Sequence, residues 1–513
     1  MKIKTALISV SNKSNLKKIL KVLKKYNINF ISSGGTYKKI KSLKYKCKEV
    51  SDFTGFPEIF EGRVKTLHPK IHSGILYKRS NKSHQKILKK LQFQSIDLVI
   101  TNFYPFEKTV NETANHKKII ENIDIGGPTL VRSAAKNYKD VVVISRIDQY
   151  EHLIKQINFY NGGTSLEFRS RMSREAFGET ASYDANIYNY FNSISKKNIP
   201  DKLIIGAELI QKLRYGENPH QYGAIYSGNK NFNLKKLQGK DLSYNNYNDI
   251  FASLSISKTL PKNKGTVIIK HANPSGVSIE NDHLKSYLSA MNCDPISAYG
   301  GVVSCNFKLS QKIAKEIVKN FYEVIIANGF DQSVLTLFKN KKNLRLIDSS
   351  KIELNKNKKI TSGINSFLMQ STDNMFYNYK SYKIVSKVKP SRKIMDQLIF
   401  SLNVCRSVKS NAIVITQNNK TVGIGSGQPS RLDSCEIAIR KMRKFKIKHN
   451  EKWPLVAASD AFFPFVDGIE KLIQAGVTAI IQPYGSIRDK EVIKFADKMG
   501  IVLVFSKTRH FNH

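Results

Sequence analysis

Two hydrophobic rhythms alternate along the chain. TALISV (5–10) is a short apolar, β-forming run, whereas the following SNKSNLKKILKVLKKY brings apolar side chains to Leu16, Ile19, Leu20 and Leu23. The first predicts a buried strand. The second predicts an amphipathic helix, because one helix face recurs every three or four residues. NINFISS (27–33), DLVITNFYPF (97–106) and VVVIS (141–145) return to the strand pattern. Strands separated by helical stretches predict a parallel, doubly wound sheet, with ligands at the carboxyl ends of its strands.

Residues 193–213, SISKKNIPDKLIIGAELIQKL, are polar and then mixed, and the pattern restarts with another rhythm. The boundary is expected there, giving parts 1–197 (with a sheet core over about 1–146) and 198–513. In the second part TVIIK (266–270), GVVS (301–304), NAIVIT (411–416), LVAAS (455–459), TAIIQ (478–482) and VLVFS (502–506) read as buried strands. SCEIAIRKMRKF and DGIEKLIQAG read as helices between them. A loose echo between IIKHANPSG and GIGSGQPSR hints at an internal duplication.

With 513 residues, 41% of them hydrophobic, the chain can bury sizeable cores. No run is long and apolar enough for a membrane span, and the first residues lack the apolar segment of a signal peptide, so a soluble, cytoplasmic protein is expected. Five scattered cysteines without a C-x-x-C pair point to neither a disulfide framework nor a zinc site. The net charge of +44 would attract a polyanion, but the lysines are spread along the whole chain beside Asn and Ile. No nucleic-acid motif accompanies them, and no specific nucleic-acid partner is expected.

Candidate chemistry gathers in a few places. Ser11 and Lys13 follow the first strand, and Ser33, Gly34, Gly35 and Thr36 follow the second; such groups between strand and helix suit a phosphate and equally an ordinary helix cap. GRVKTLHPKIHSG (62–74) concentrates Arg63, Lys65, Thr66, His68, Lys70 and His72, either as a solvated basic loop or as an anion cradle. Tyr104, Asp124 and Lys136 offer a phenol, a carboxylate and an ammonium for proton transfer, and Asp124 alone reads equally as a cap. In VIIKHANPSG (267–276), Lys270 and His271 stand side by side where a buried strand meets a turn.

Taken together, SVSNK, SSGGT, GRVKTLHPKIHSG, NFYPF, DIGGPTLVRSAAKN, LRYGENPHQ, LSYNNYND, KHANPSG, DPISAYGGV, KSNAIV, GIGSGQPSR, SDAFFPF, GVTAIIQP and RHFNH follow one another in a familiar order. The chain resembles the bifunctional purine-biosynthesis PurH family, which joins AICAR transformylase to IMP cyclohydrolase. The resemblance implies a methylglyoxal-synthase-like N-terminal doubly wound sheet and a duplicated, cytidine-deaminase-like α/β C-terminal region that works without that scaffold's zinc. It implies formyl transfer from 10-formyltetrahydrofolate to AICAR, then dehydrative closure of FAICAR to IMP, by a homodimer with no catalytic metal and with room for a monovalent cation.

By the same resemblance, Lys270, His271 and Asn411 carry formyl transfer. Arg214, Tyr215, Asn246, Arg509 and Phe511 contact AICAR, and Gly427, Gln428, Phe462 and Asp467 face the folate. Lys65, Tyr104, Asp124 and Lys136 carry ring closure, and Ser11, Lys13, Ser33, Gly34, Gly35, Thr36, Arg63 and Thr66 cradle phosphate and ribose. The chain departs from the family's pattern at Pro128, Tyr484 and Lys507. Two rival readings follow: an enzyme with one activity impaired, for which Pro128 is the motive, or a nucleic-acid binder exploiting the charge.

Overall fold

The computed structural model describes residues 1–195, 197–228, 234–353, 358–373, 379–445 and 453–513. They form two compact units, Met1–Glu208 and Leu209–His513. The polar stretch expected to part them at 197/198 lies between the long helix Leu166–Ile194 and the strand Glu208–Leu213.

In the first unit β1 (Thr5–Val10), β2 (Asn29–Ser32), β3 (Lys48–Glu49), β4 (Leu98–Asn102) and β5 (Val142–Ile144) line up in the order β3-β2-β1-β4-β5. Every pairing is parallel. The helical spacing read from the sequence folds as a helix, Leu16–Lys25, whose Leu16, Ile19, Leu20 and Leu23 are buried in the core with Leu7, Ile8, Val99 and Ile100. Connections leave β1 toward β2 on one side and return to β4 on the other. The carboxyl ends of β1 and β4 therefore flank the point where the strand order reverses, the ordinary place for a ligand on such a sheet.

The second unit holds a twelve-stranded mixed sheet. Its topology is one pattern used twice. A strand (Lys235–Gln238), a helix (Tyr244–Ser257), a hairpin (Gly265–Lys270 with Asn273–Ile279) and a helix (His283–Cys293) lead to parallel strands Gly301–Cys305, Tyr322–Ala327 and Arg345–Asp348. A strand (Tyr382–Ile384), a helix (Arg392–Cys405), a hairpin (Ile413–Gln417 with Lys420–Gly425) and a helix (Arg431–Lys444) lead likewise to Leu455–Ser459, Val477–Pro483 and Val502–Ser506. The halves join antiparallel, Ser278 opposite Lys420, so a pseudo-two-fold axis runs through the junction.

The duplication is real, but its register is not the one the sequence echo gave. IIKHANPSG is the first hairpin, and its counterpart is IVITQNNKTVGIG; GSGQPSR instead leads out of the second hairpin into a helix. Each second hairpin strand hides because glycine stands where its helix crosses. A Cβ at Gly276 would lie 1.8 Å from the Ala290 carbonyl oxygen, and one at Gly425 1.9 Å from that of Ser434. No helix among the described residues is long and apolar enough to cross a membrane.

Candidate functional sites

In the first unit the site grows from the ends of β1 and β4. The Ser11 N–H donates to the Asn102 carbonyl at 3.4 Å and the Asn12 N–H to Asn102 Oδ1 at 2.8 Å, tying the two strand ends together. The loop after β2 turns into helix Gly34–Ser42 through Gly34 in the left-handed region (φ +51°), a conformation that costs most other residues. Thr36 is buried, and its hydroxyl both accepts from Val10 N–H and donates to Val10 carbonyl at 3.0 Å, clamping this helix to β1.

Two ammonium groups converge on the start of that helix. A Cβ at Gly34 would lie 3.5 Å from Lys65 Nζ, and one at Gly35 would lie 3.7 Å from Lys13 Nζ. The buried Ser33 hydroxyl beside them has no hydrogen-bond partner. Backbone N–H groups at a helix start, two lysines and a spare hydroxyl make a site fitted to an anion. Lys65 pairs loosely with Glu58 at 3.9 Å, whereas the exposed Arg63 is taken by Glu121.

A second helix start, Gly126–Lys136, faces the same region: a Cβ at Gly126 would meet the buried Thr66 hydroxyl at 2.8 Å. Asp124 precedes this helix. Its Oδ1 accepts from Gly127 N–H at 2.8 Å and its Oδ2 from Tyr104 N–H at 3.3 Å, so Asp124 and Tyr104 are brought together. Burial pushes the Asp124 carboxyl above its ordinary range, against the pull of those two N–H groups and the Lys65 ammonium. Lys136 is the exposed last residue of the eleven-residue helix, about 15 Å of rise from its start. The ammonium that Asp124 faces is that of Lys65. Pro128 is the third residue of the helix, where a backbone N–H has no intrahelical partner to lose, so it fits without cost.

His72, read with Arg63, Lys65 and Thr66 as part of a possible anion cradle, packs against the helix Gly126–Lys136. Its Nδ1 is 3.1 Å from the Ser133 hydroxyl, and desolvation lowers its pKa against the opposing pull of the Thr66 backbone.

In the second unit the first hairpin turns at His271 and Ala272, both in the left-handed region (φ 51° and 57°). A two-residue hairpin turn demands this geometry, which suits Asn and Gly far better than Ala. The second repeat meets the demand with Asn418 and Asn419 (φ 49° and 57°). Replacing Ala272 by Asn is therefore expected to raise the unfolding free energy by about 1 kcal/mol, read as a higher denaturant midpoint at unchanged slope.

Around this turn the partners are fixed. Lys270 Nζ donates to the Gly300 carbonyl at 2.8 Å, and the Ala272 N–H donates to Asp249 Oδ1 at 2.6 Å. Asn273 Oδ1 accepts from the Lys409 N–H at 3.0 Å, and the Lys409 carbonyl accepts from Gly427 N–H at 2.8 Å. The hairpin turn thus reaches the Gly427–Gln428 loop and Asn411, all at one end of the sheet where the repeats meet. The site occupies the carboxyl ends of the parallel strands in the second repeat and their amino ends in the first, a consequence of the two-fold relation.

Asn411 is held on every side. Its Nδ2 donates to the Gln428 and Pro429 carbonyls at 2.9 and 2.8 Å, and its Oδ1 accepts from Arg431 at 2.7 Å. Arg431 in turn pairs with Asp460, their side chains 8% and 0% exposed, and Ser410 donates to the other Asp460 oxygen at 2.6 Å. The final segment is stapled to this network: His510 N–H donates to the Asp460 carbonyl, and Ser410 exchanges bonds with Asn512. This places Arg509, its guanidinium 4.4 Å from the Phe511 ring centre, next to the network.

Arg214 stacks over Tyr215 at 5.6 Å in the turn after Glu208–Leu213. That turn is tied to helix Tyr244–Ser257 by Asn245, which donates to the Glu217 carbonyl at 3.2 Å. Asn246 is buried and donates to Glu323 at 2.8 Å. Phe462 is half-buried, and Asp467 opens the helix Asp467–Gln474 at the surface. Tyr484 is exposed beyond the end of its strand. Asp249, Arg431 and Asp460 are among the residues around this site that residue-type reasoning passes over. Among the described residues no three His, Cys, Asp or Glu side chains cluster in a way that would hold a metal ion.

A family model described as AICARFT/IMPCHase bienzyme matches residues 134–441, and one described as MGS-like domain matches residues 15–129. The bifunctional purine biosynthesis protein PurH of Bradyrhizobium diazoefficiens is 43% identical over 520 residues, spanning 99% of this chain and 98% of its own. Its namesake from Buchnera aphidicola subsp. Schizaphis graminum is 45% identical over 531 residues, 100% and 99% of the two chains. That of Leptospira biflexa serovar Patoc is 43% identical over the whole of both.

Proposed function

The chain belongs to the AICARFT/IMPCHase bienzyme family of bifunctional PurH proteins, and from that premise we propose how its side chains divide the work. It carries out the last two steps of IMP biosynthesis, formyl transfer to AICAR and closure of the product. Formyl transfer belongs to the second unit and ring closure to the first. The observation that carries this division is the placing of His271 on a left-handed turn, directly after the strand-end Lys270 and beside the Gly427–Gln428 loop, with the paired lysines Lys13 and Lys65 in a separate unit.

In formyl transfer the amine of AICAR attacks the formyl carbon of 10-formyltetrahydrofolate. The amine is conjugated with its ring and is a poor nucleophile, so it needs a base and a cation. His271 takes the amine proton. Lys270, with one N–H spent on Gly300, turns its remaining N–H groups toward the tetrahedral oxygen, and the folate nitrogen leaves with a proton. Asn411 orders the 427–431 loop through its amide. To reach the oxyanion itself it would have to give up one of its two carbonyl partners. Arg214, Tyr215, Asn246, Arg509 and Phe511 hold AICAR, with Arg509 on its phosphate, and Gly427, Gln428, Phe462 and Asp467 lie on the folate side.

Ring closure needs the FAICAR carboxamide nitrogen to attack the formyl carbon and water to leave. Holding both groups in one folded substrate supplies much of the rate. The phosphate sits on the start of Gly34–Ser42 with Ser11, Lys13, Ser33, Gly35 and Thr36, and Arg63 and Thr66 complete the cradle. Lys65 stabilises the developing oxyanion while Asp124 and Tyr104 move protons; Lys136 enters through the family resemblance alone. The protein works in the cytoplasm as a homodimer.

The assignment is tested by giving purified protein FAICAR without folate. IMP is expected to form, and Lys65→Ala is expected to cut that rate by about 10²-fold or more while formyl transfer to AICAR continues. Loss of both activities together would overturn the division.

A further inference from the structure

Asp249 sits sixth on the fourteen-residue helix Tyr244–Ser257, one turn beyond Asn246, and accepts the Ala272 N–H at 2.6 Å. The second repeat provides its own comparison. Gln397 sits sixth on the fourteen-residue helix Arg392–Cys405 and holds the equivalent turn through its other residue, accepting the N–H of Asn418, the counterpart of His271, at 3.0 Å. A neutral amide therefore suffices to hold this hairpin. The first repeat instead places a carboxylate there, half-buried, where desolvation works against its charge. The basic groups facing it are His271 and Lys270 from the hairpin, and Glu323 on strand Tyr322–Ala327 faces it as a second carboxylate. A charge kept where an uncharged group would do the structural work calls for a second role.

On the reading of the second unit given above, we propose that Asp249 is a positioning residue for formyl transfer. Its carboxylate aims the His271–Ala272 turn and sets negative charge beside His271 as the imidazole takes up the amine proton. No covalent step passes through Asp249; the proton moves from the AICAR amine to the imidazole and stays there until the folate nitrogen leaves.

The test compares the full-length protein with Asp249→Asn and Asp249→Ala, measuring formyl-transfer kcat and KM, the pH profile of kcat, melting temperature, and FAICAR closure on the same preparations. Asp249→Asn is expected to melt no lower than wild type, because it resembles the Gln397 arrangement. Its kcat is expected to fall by about 10- to 100-fold with KM for AICAR near the wild-type value. The acid limb of its kcat profile is expected to move to lower pH, and Asp249→Ala to lose at least as much kcat. Asparagine with wild-type kcat and an unmoved pH profile would overturn the proposal, as would kcat, KM and melting temperature falling together. Full formyl transfer by a His271→Ala control would instead overturn the site reading itself.

Discussion

Replacing His271 by asparagine is expected to abolish formyl transfer, by about 10²- to 10⁴-fold in kcat, while FAICAR closure proceeds at the wild-type rate. The size follows from the chemistry: an amine conjugated with a carboxamide-bearing ring does not attack without a base, and no other imidazole stands on this turn. Asparagine suits the left-handed geometry of the turn, as Asn418 does in the second repeat, so the variant folds and the loss is chemical. Formyl transfer is followed by the release of tetrahydrofolate and closure by IMP formed from FAICAR. Retained transfer would place the proton acceptor elsewhere, and joint loss of both activities would remove the separation between the units.

The second large effect is expected at Asp124. Substitution by asparagine keeps one acceptor for the Gly127 N–H and removes a group able to move a proton, so ring closure is expected to fall about 10²-fold or more with formyl transfer intact. Stability should respond in the opposite sense as pH rises. Burial holds the folded carboxyl above its ordinary value of 3.8. Its contribution to stability is therefore complete below that value and is lost as pH climbs through the raised folded one. The stability of Asp124→Asn relative to wild type should accordingly improve between about pH 3 and about pH 7. Denaturant midpoints of both proteins across that range check it, and a constant difference would contradict the buried-carboxylate account.

Much of the first unit was legible because parallel strands buried on both faces are written in unbroken Val, Ile and Leu, and the helix after β1 keeps a clean apolar stripe. The second unit was legible only in part. Its hairpin partners, Asn273–Ile279 and Lys420–Gly425, carry Gly, Pro, Ser and Lys at positions set by close helix crossing and turn geometry, so they read as loops and their repeat was misregistered. Lys270 and His271 stood out because an ammonium and an imidazole at a strand end have no packing purpose. Asp249 did not, because its partner lies across a helix–hairpin contact that spacing along the chain does not report. Lys136 is less legible for a related reason: the sequence sets it near Asp124, but the helix between them puts Lys136 at its far end.

The Asn418–Asn419 turn and the His271–Ala272 turn lie at opposite ends of the sheet, since the Ile279 N–H meets the Asn419 carbonyl where the first hairpin finishes. Duplication thus left this molecule with a second corner of similar turn geometry, carrying Asn418 where the first carries His271. That corner is a vacant plot for protein engineering: an imidazole and a carboxylate grafted at Asn418 and Gln397 would inherit a ready-made scaffold, with the original workshop undisturbed at the other end.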